Sequence, residues 1–230
     1  HSQFVHFQIM MSRFLELRRS YPLSYVLTNR EQDTKKLLEG PGVVAVAPRL
    51  LIAGLASSGE TTLSFIGEGV DPGLEAELSS ALRFPEGRNL QPGENNTVVV
   101  GRGLADNLGL RLGGTLVLVA NTKGGRINAV EAKTVGVFES ITKAYDDIAL
   151  RIPISLARQL MRVDGEHLRI VLLDDTARTP QTLEWMKANL GETQYDVVPW
   201  TQLAGFYNKT ASPFAKQVGV IYLIIAVIIV

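Results

Sequence analysis

Apolar positions along the 230-residue chain alternate between two spacings. Thr97–Val100 (TVVV) and Thr115–Val119 (TLVLV) are apolar, β-branched runs, which suit a pleated, half-buried surface and predict strands. Between them Leu104 and Leu108 are four apart and share one face of a short helix. Gly109 is expected to close that helix in the left-handed conformation, and Gly113-Gly114 to turn the chain into the next strand. The same pattern predicts strands at Leu23–Thr28, Val43–Ala53, Thr61–Glu68, Ala129–Phe138, Leu168–Leu173 and Tyr195–Pro199. Pro48 lacks an N–H, which places the middle of Val43–Ala53 at a sheet edge or a bulge.

Helices are expected from Asp33 or Thr34, as cap, to Leu38, over Ile154–Val163, and after Thr179-Pro180, where Leu183, Met186 and Leu190 line one face and Gly191 stops it. His1–Arg19 has apolar residues at roughly helical spacing with Arg13, Glu16, Arg18 and Arg19 between them, and Pro22 ends it.

Strand, helix, glycine stop and strand therefore occur twice, at Leu23–Ala53 and Leu168–Pro199, around a turn-rich β middle. The expected fold class is α+β. A ferredoxin-like βαβ subdomain is formed by two chain segments, residues 23–80 and 166–205. A β-rich subdomain, residues 81–165, is inserted between them. Residues 1–22 are read as a stalk helix, and residues 206–230 as a second stalk leading into a membrane helix.

Composition narrows the function. Lys+Arg and Asp+Glu are 23 each, so no basic excess favours nucleic acid. Cysteine is absent, which removes disulfides, thiolate metal sites and a cysteine nucleophile. His1, His6 and His167 are the only histidines and have no zinc-ligand spacing. Asp146-Asp147 and Asp174-Asp175 are adjacent carboxylates, expected to be solvated or to point to opposite faces rather than to form a calcium loop. Ser57-Ser58-Gly59 reads as a turn. Gly101 and Gly103 follow a strand, but the third glycine of a dinucleotide loop is missing, since Asp106 stands there. No catalytic, cofactor or metal site is expected, and no enzyme activity.

Val218–Val230 (VGVIYLIIAVIIV) carries no charge. At 1.5 Å per residue it covers about two thirds of a roughly 30 Å hydrocarbon core. The expected membrane-inserting residues are Val220, Ile221, Leu223, Ile224, Ile225, Val227, Ile228 and Ile229. The lack of an initiator Met and the apolar run at the end give the expectation of a segment cut from a longer chain.

The central stretch, a strand followed by G-x-x-L-A-x-x-L-G-L-x-x-G and a T-L-V-L strand, resembles the extracytoplasmic core domain of MacB-type ABC transporter permeases. That family also includes FtsX-like and LolC/LolE-like permeases. Pro41-Gly42-Val43 with Val46-Ala47-Pro48-Arg49 is similar to its P-G-V-x-x-V-x-P-R strand entry. The turn Gly67 to Pro72, the Gly87-Arg88 pair, Val135–Phe138 and Ile154–Leu160 follow in the family's order. Gly113-Gly114 departs from the usual G-D. The resemblance runs from about Leu23 to Val230. It implies a domain between the first and second membrane helices of a bacterial inner-membrane permease, on the periplasmic side. Implied partners are a cytoplasmic ABC ATPase subunit, a second permease copy or paralogue, and a periplasmic adaptor or lipoprotein carrier. The implied function is coupling of ATP hydrolysis to extrusion or release of a lipoprotein, peptide or small molecule. The chain has no P-loop, so the ATPase is expected elsewhere. The competing reading is a membrane-tethered binding or scaffold domain in signalling or cell-envelope regulation.

In the intact protein, Ile224→Arg or Ile228→Arg is expected to cost about 2.5–3.5 kcal/mol of membrane insertion. Glycosylation mapping or protease protection of the full-length chain measures this, and normal insertion of the Arg variants would overturn the membrane reading.

Overall fold

Most of the predicted apolar runs pair in one sheet. The computed structural model describes residues 7–17, 25–28, 30–74, 82–190 and 195–199. In chain order its strands are β1 (Phe7–Met11), β2 (Val43–Ser58), β3 (Thr61–Val70), β4 (Arg83–Gly87), β5 (Thr97–Gly101), β6 (Thr115–Asn121), β7 (Ile127–Glu139), β8 (Ala149–Pro153), β9 (Leu168–Leu173) and β10 (Tyr195–Pro199). The α-helices are α1 (Phe14–Leu17), α2 (Arg30–Leu38), α3 (Arg102–Leu108), α4 (Lys143–Asp146), α5 (Ile154–Met161) and α6 (Thr179–Leu190). The architecture is mixed α and β.

β2 is 16 residues long and changes partner partway. Val43–Arg49 pairs antiparallel with β9, and Arg49–Ser58 pairs antiparallel with β3. Its first half thus lies in a four-stranded antiparallel layer of order β10-β1-β9-β2. On the far side of Val43–Pro48 no strand pairs among the described residues, so Pro48 sits at an edge, where a missing N–H costs no ladder bond. One face of the layer buries Phe7, Ile9, Val46, Val171 and Leu173 under Leu37 of α2 and Met186 of α6.

The second half of β2 enters a ring. β2 pairs β3, β3 pairs β8, β8 pairs β5, β5 pairs β7, β7 pairs β6, and β6 returns to β2. The result is a closed barrel. Its inward residues alternate with outward ones: Leu50 and Ile52 on β2, Phe65 on β3, Leu116 and Leu118 on β6, and Leu150 and Ile152 on β8 fill one core. α5 contacts β2, β3, β6, β7 and β8, strands from around the ring, so it lies across one mouth. Leu156, Ala157 and Leu160 face inward from it. The side-chain amide of Asn128 donates to the carbonyls of Gln159 and Leu160 at 3.0 Å each, satisfying the free end of that helix. Gly69 lets β3 approach α5, because a Cβ there would collide with that of Ala157.

Several expectations need correction. Residues 7–11 form a strand, not part of a stalk helix. β1 lies between β9 and β10 and is covered on both faces, so FQIMM is apolar on both and its period of two is hidden. β1 takes the place expected for Leu23–Thr28, where the described residues, 25–28, form a single bridge, Leu27 to Glu166. The change from layer to barrel falls within β2 at Arg49. β2 beyond that point and all of β3 therefore line the ring, although residues 23–80 were read as one segment of the layer. β8, the Pro-containing β4 and the short helix Lys143–Asp146 were not expected. The α3 reading agrees: Gly109 caps it at φ 60°, with its N–H on the carbonyl of Asp106.

Leu118→Ala, deep in the barrel, is expected to lower unfolding free energy by about 2–5 kcal/mol, from lost transfer energy plus a cavity. Urea unfolding of the variant checks it.

Candidate functional site

Charged side chains gather where β2 passes from the layer to the barrel. Every residue of β9 is buried, including Arg169 in the run LRIVLL. A guanidinium removed from water must be paired and hydrogen-bonded. Arg169 Nε donates to Glu166 Oε1 at 3.0 Å, and Nη1 donates to Asp33 Oδ2 at 2.9 Å. The other Glu166 oxygen, Oε2, accepts from Arg158 Nη2 at 3.0 Å, and Arg158 Nε donates to the carbonyl of Gly165 at 3.1 Å. The Tyr195 hydroxyl donates to Asp33 Oδ2 at 3.0 Å. Burial pushes that hydroxyl's pKa up, and the Asp33 hydrogen bond pushes it further. Glu166 and Arg169 are each only 1% exposed.

Five elements or loops thus contribute to one chain of charges: α5, the loop before β9, β9, α2 and β10. Asp33 was expected as a helix cap. The helix begins earlier, at Arg30, so Asp33 lies within it and its carboxylate reaches Arg169 instead.

A second charged group adjoins the same stretch of β2. Arg49 is buried and lies 3.7 Å from Glu68 Oε2, which Arg151 Nη2 approaches to 3.1 Å. The Tyr145 phenol, held up first by burial and then by the negative charge of Glu68, stays protonated beside them. His167 is wholly buried between the groups. Its backbone N–H donates to the carbonyl of Arg49 at 2.9 Å. Its ring Nδ1 accepts from the N–H of Leu51 at 3.0 Å, and the ring stacks on Phe14 with centroids 5.3 Å apart. An accepting Nδ1 carries no proton, so His167 is a neutral structural bridge between β9 and β2.

A cleft of about 640 Å³ opens beside this junction. Val46, Pro48 and Leu74 give it an apolar lining, while Lys35, Asp71, Arg158, Glu166 and Arg169 bring both signs of charge to it. A second hollow of about 470 Å³ lies on the barrel between Glu86, Arg102, Asp106 and Arg111. Arg102 is ion-paired to Glu86 there. The chemistry the junction offers is pairing of fixed charges between separately packed elements.

The eight membrane-inserting candidates, Val220 to Ile229, lie outside the described residues, as do His1 and His6. Among the described residues no helix is long and apolar enough to cross a membrane, and no three His, Asp or Glu side chains gather as a metal site requires. Asp146 departs from its expectation: it is buried, and its two oxygens accept the Ser140 N–H at 3.0 and 3.1 Å. Asp147 lies 3.6 Å from Lys143. Asp174 pairs with Arg178, and Asp175 caps the turn Thr176–Arg178 through the Ala177 N–H. Of the expected Ser57-Ser58-Gly59 turn, Ser57 and Ser58 instead end β2, paired with Thr62 and Thr61, and the β2–β3 turn is Gly59-Glu60. Gly101 and Gly103 are explained by close packing, since a Cβ on either would strike Asp146 or Asp147.

The fold is shared with domains of known transporters. The chain superposes on the periplasmic region of MacB from Actinobacillus actinomycetemcomitans with a TM-score of 0.61 and 16% identity, over 89% of this chain and 92% of that one. It also superposes on the extracellular domain of the noncanonic ABC-type transporter YknZ from Gram-positive bacteria, with a TM-score of 0.60 and 16% identity, over 84% and 98%. At such identity the likeness establishes a fold, that of extracytoplasmic domains of ABC-type transporters. The sequence gives the narrower result. Residues 2–189 match the model of the MacB-like periplasmic core domain, and the chain belongs to that family. The matched range takes in β1, which the sequence resemblance, starting near Leu23, left out.

Arg169→Met would leave half-buried Asp33 without its cation and buried Glu166 with Arg158 alone. It is expected to lower stability by about 3–5 kcal/mol. Guanidinium unfolding followed by far-UV circular dichroism measures the loss.

Proposed function

We propose that this chain is the extracytoplasmic part of an ABC transporter permease, and that it acts without catalysis of its own, transmitting motion driven by ATP hydrolysis elsewhere to a substrate outside the membrane. The observation that carries this reading is the family match over residues 2–189. The strand order β10-β1-β9-β2 supports its architectural part: with α2 before β2 and α6 between β9 and β10, it is the order of a ferredoxin-like layer built from two chain segments. The barrel then stands as the inserted unit, with the division at Arg49.

In this reading the uncharged run Val218–Val230 leads into the bilayer of a bacterial inner membrane, and a second permease copy or paralogue stands beside it. A cytoplasmic ABC ATPase supplies the energy, because the chain has no G-x-x-x-x-G-K-[ST]. The cargo is a lipoprotein, a peptide or a small molecule, received with or without a periplasmic adaptor or carrier.

The test is purification of the full-length protein from detergent-solubilised membranes, with its partners identified by mass spectrometry and its ATP hydrolysis assayed. The expected result is an ABC ATPase in stoichiometric amount and vanadate-sensitive hydrolysis. A full-length protein with neither ATPase nor hydrolysis would overturn the reading and favour a membrane-tethered scaffold.

A further inference from the structure

The barrel and the layer have separate apolar cores. One is built on Leu50, Phe65, Leu118 and Leu150, the other on Phe7, Ile9, Val171 and Met186, and they share no residue. Two connections join the halves: β2 runs through Arg49, and the loop after α5 leads to β9. A small apolar cluster of Met10, Phe14 and Leu168 with Leu51 lies at the same place. Apolar contact supplies area but little direction, since burial is rewarded in many arrangements. Ion pairs held by hydrogen bonds are directional, and away from water they tolerate little displacement.

We propose that the chain Arg158–Glu166–Arg169–Asp33 is a lock that fixes the angle between barrel and layer, making the two move as one rigid body. Arg158 belongs to α5, which lies across the barrel mouth. Arg169 and Asp33 belong to the layer and its helix. Glu166 stands between, one oxygen on each arginine, both at 3.0 Å. Any turn of the barrel about β2 draws Arg158 away from Glu166 and leaves a buried carboxylate short of a partner. The side chains of Glu166 and Arg169 are each 2% exposed, so water cannot replace what is lost. Arg158, at 21%, is the outer member and the one whose removal the fold tolerates best. This inference does not rest on the transport reading and stands or falls separately from it.

The chain has no cysteine, so an introduced pair can be spin-labelled alone within it. Glu60→Cys at the β2–β3 turn and Ala188→Cys on α6 are exposed positions, one on the barrel and one on the layer. Electron–electron distance measurement on the full chain is expected to give one narrow distribution. Arg158→Gln is expected to broaden it or add a second maximum while the protein still melts cooperatively. Glu166→Gln is expected to do the same more strongly, and if it does not fold, Arg158→Gln decides. Val130→Ala serves as control, because it removes barrel packing away from the network: it should lower the melting temperature and leave the distribution narrow. An unchanged distribution in Arg158→Gln overturns the proposal. So does broadening in Val130→Ala, which would assign the rigidity to packing at large.

Discussion

One strand, β2, imposes the arrangement on everything else. Its backbone must satisfy partners in two places along a single extended run, β9 up to Arg49 and β3 beyond it. A strand that leaves one sheet and enters another loses pairing at the crossing unless other groups take it up. Here the His167 N–H meets the Arg49 carbonyl, and the His167 ring meets the Leu51 N–H. Pro48, which has no N–H to satisfy, sits one residue before the change. The local sequence Pro48-Arg49 is thus fitted to the crossing: one residue asks for no ladder bond, and the next brings a cation to the charged junction.

The ring solves a different problem. An open sheet built from β3, β8, β5, β7 and β6 would present its apolar inner face and two raw edges to water. Return of β6 to β2 removes those edges and gives each inward leucine and valine a full set of neighbours. α5 and its Asn128 tie then cover a mouth without leaving helix carbonyls unmet. The apolar cores supply most of the favourable energy. The junction between them, rich in charge, adds specificity of position rather than energy, since buried ion pairs recover little more than their desolvation cost.

Much of this was legible in the sequence because its causes are local. Thr97–Val119 announces strand, helix, glycine cap and strand through neighbouring residues, and each appears. β1 and β8 were not legible for a shared reason: both are short and covered on both faces, so apolar residues fill them without the alternation that marks a strand. The charge network was hidden differently. Glu166 and Arg169 are three apart, but Asp33 and Arg158 come from distant segments that only the fold assembles. One signal was present nonetheless. A lone arginine inside LRIVLL cannot be buried without carboxylates, so Arg169 implied at least one acidic partner from elsewhere in the chain.

The placement of β1 bears on how the domain is made. Phe7–Met11 is made before every other described strand of the domain, yet both of its neighbours, β9 and β10, are made after all the rest. The Ser12 hydroxyl that fastens its end to Asp196 finds that partner 184 residues later. Such separations give the layer a high contact order and a slow final step, whereas the barrel's hairpins can form from what is already at hand. Until Tyr195–Pro199 is synthesised, this apolar strand lacks one or both of its partners. During biogenesis the layer is therefore the late-folding, aggregation-exposed part of the domain, and the barrel is the nucleus beside which it is completed.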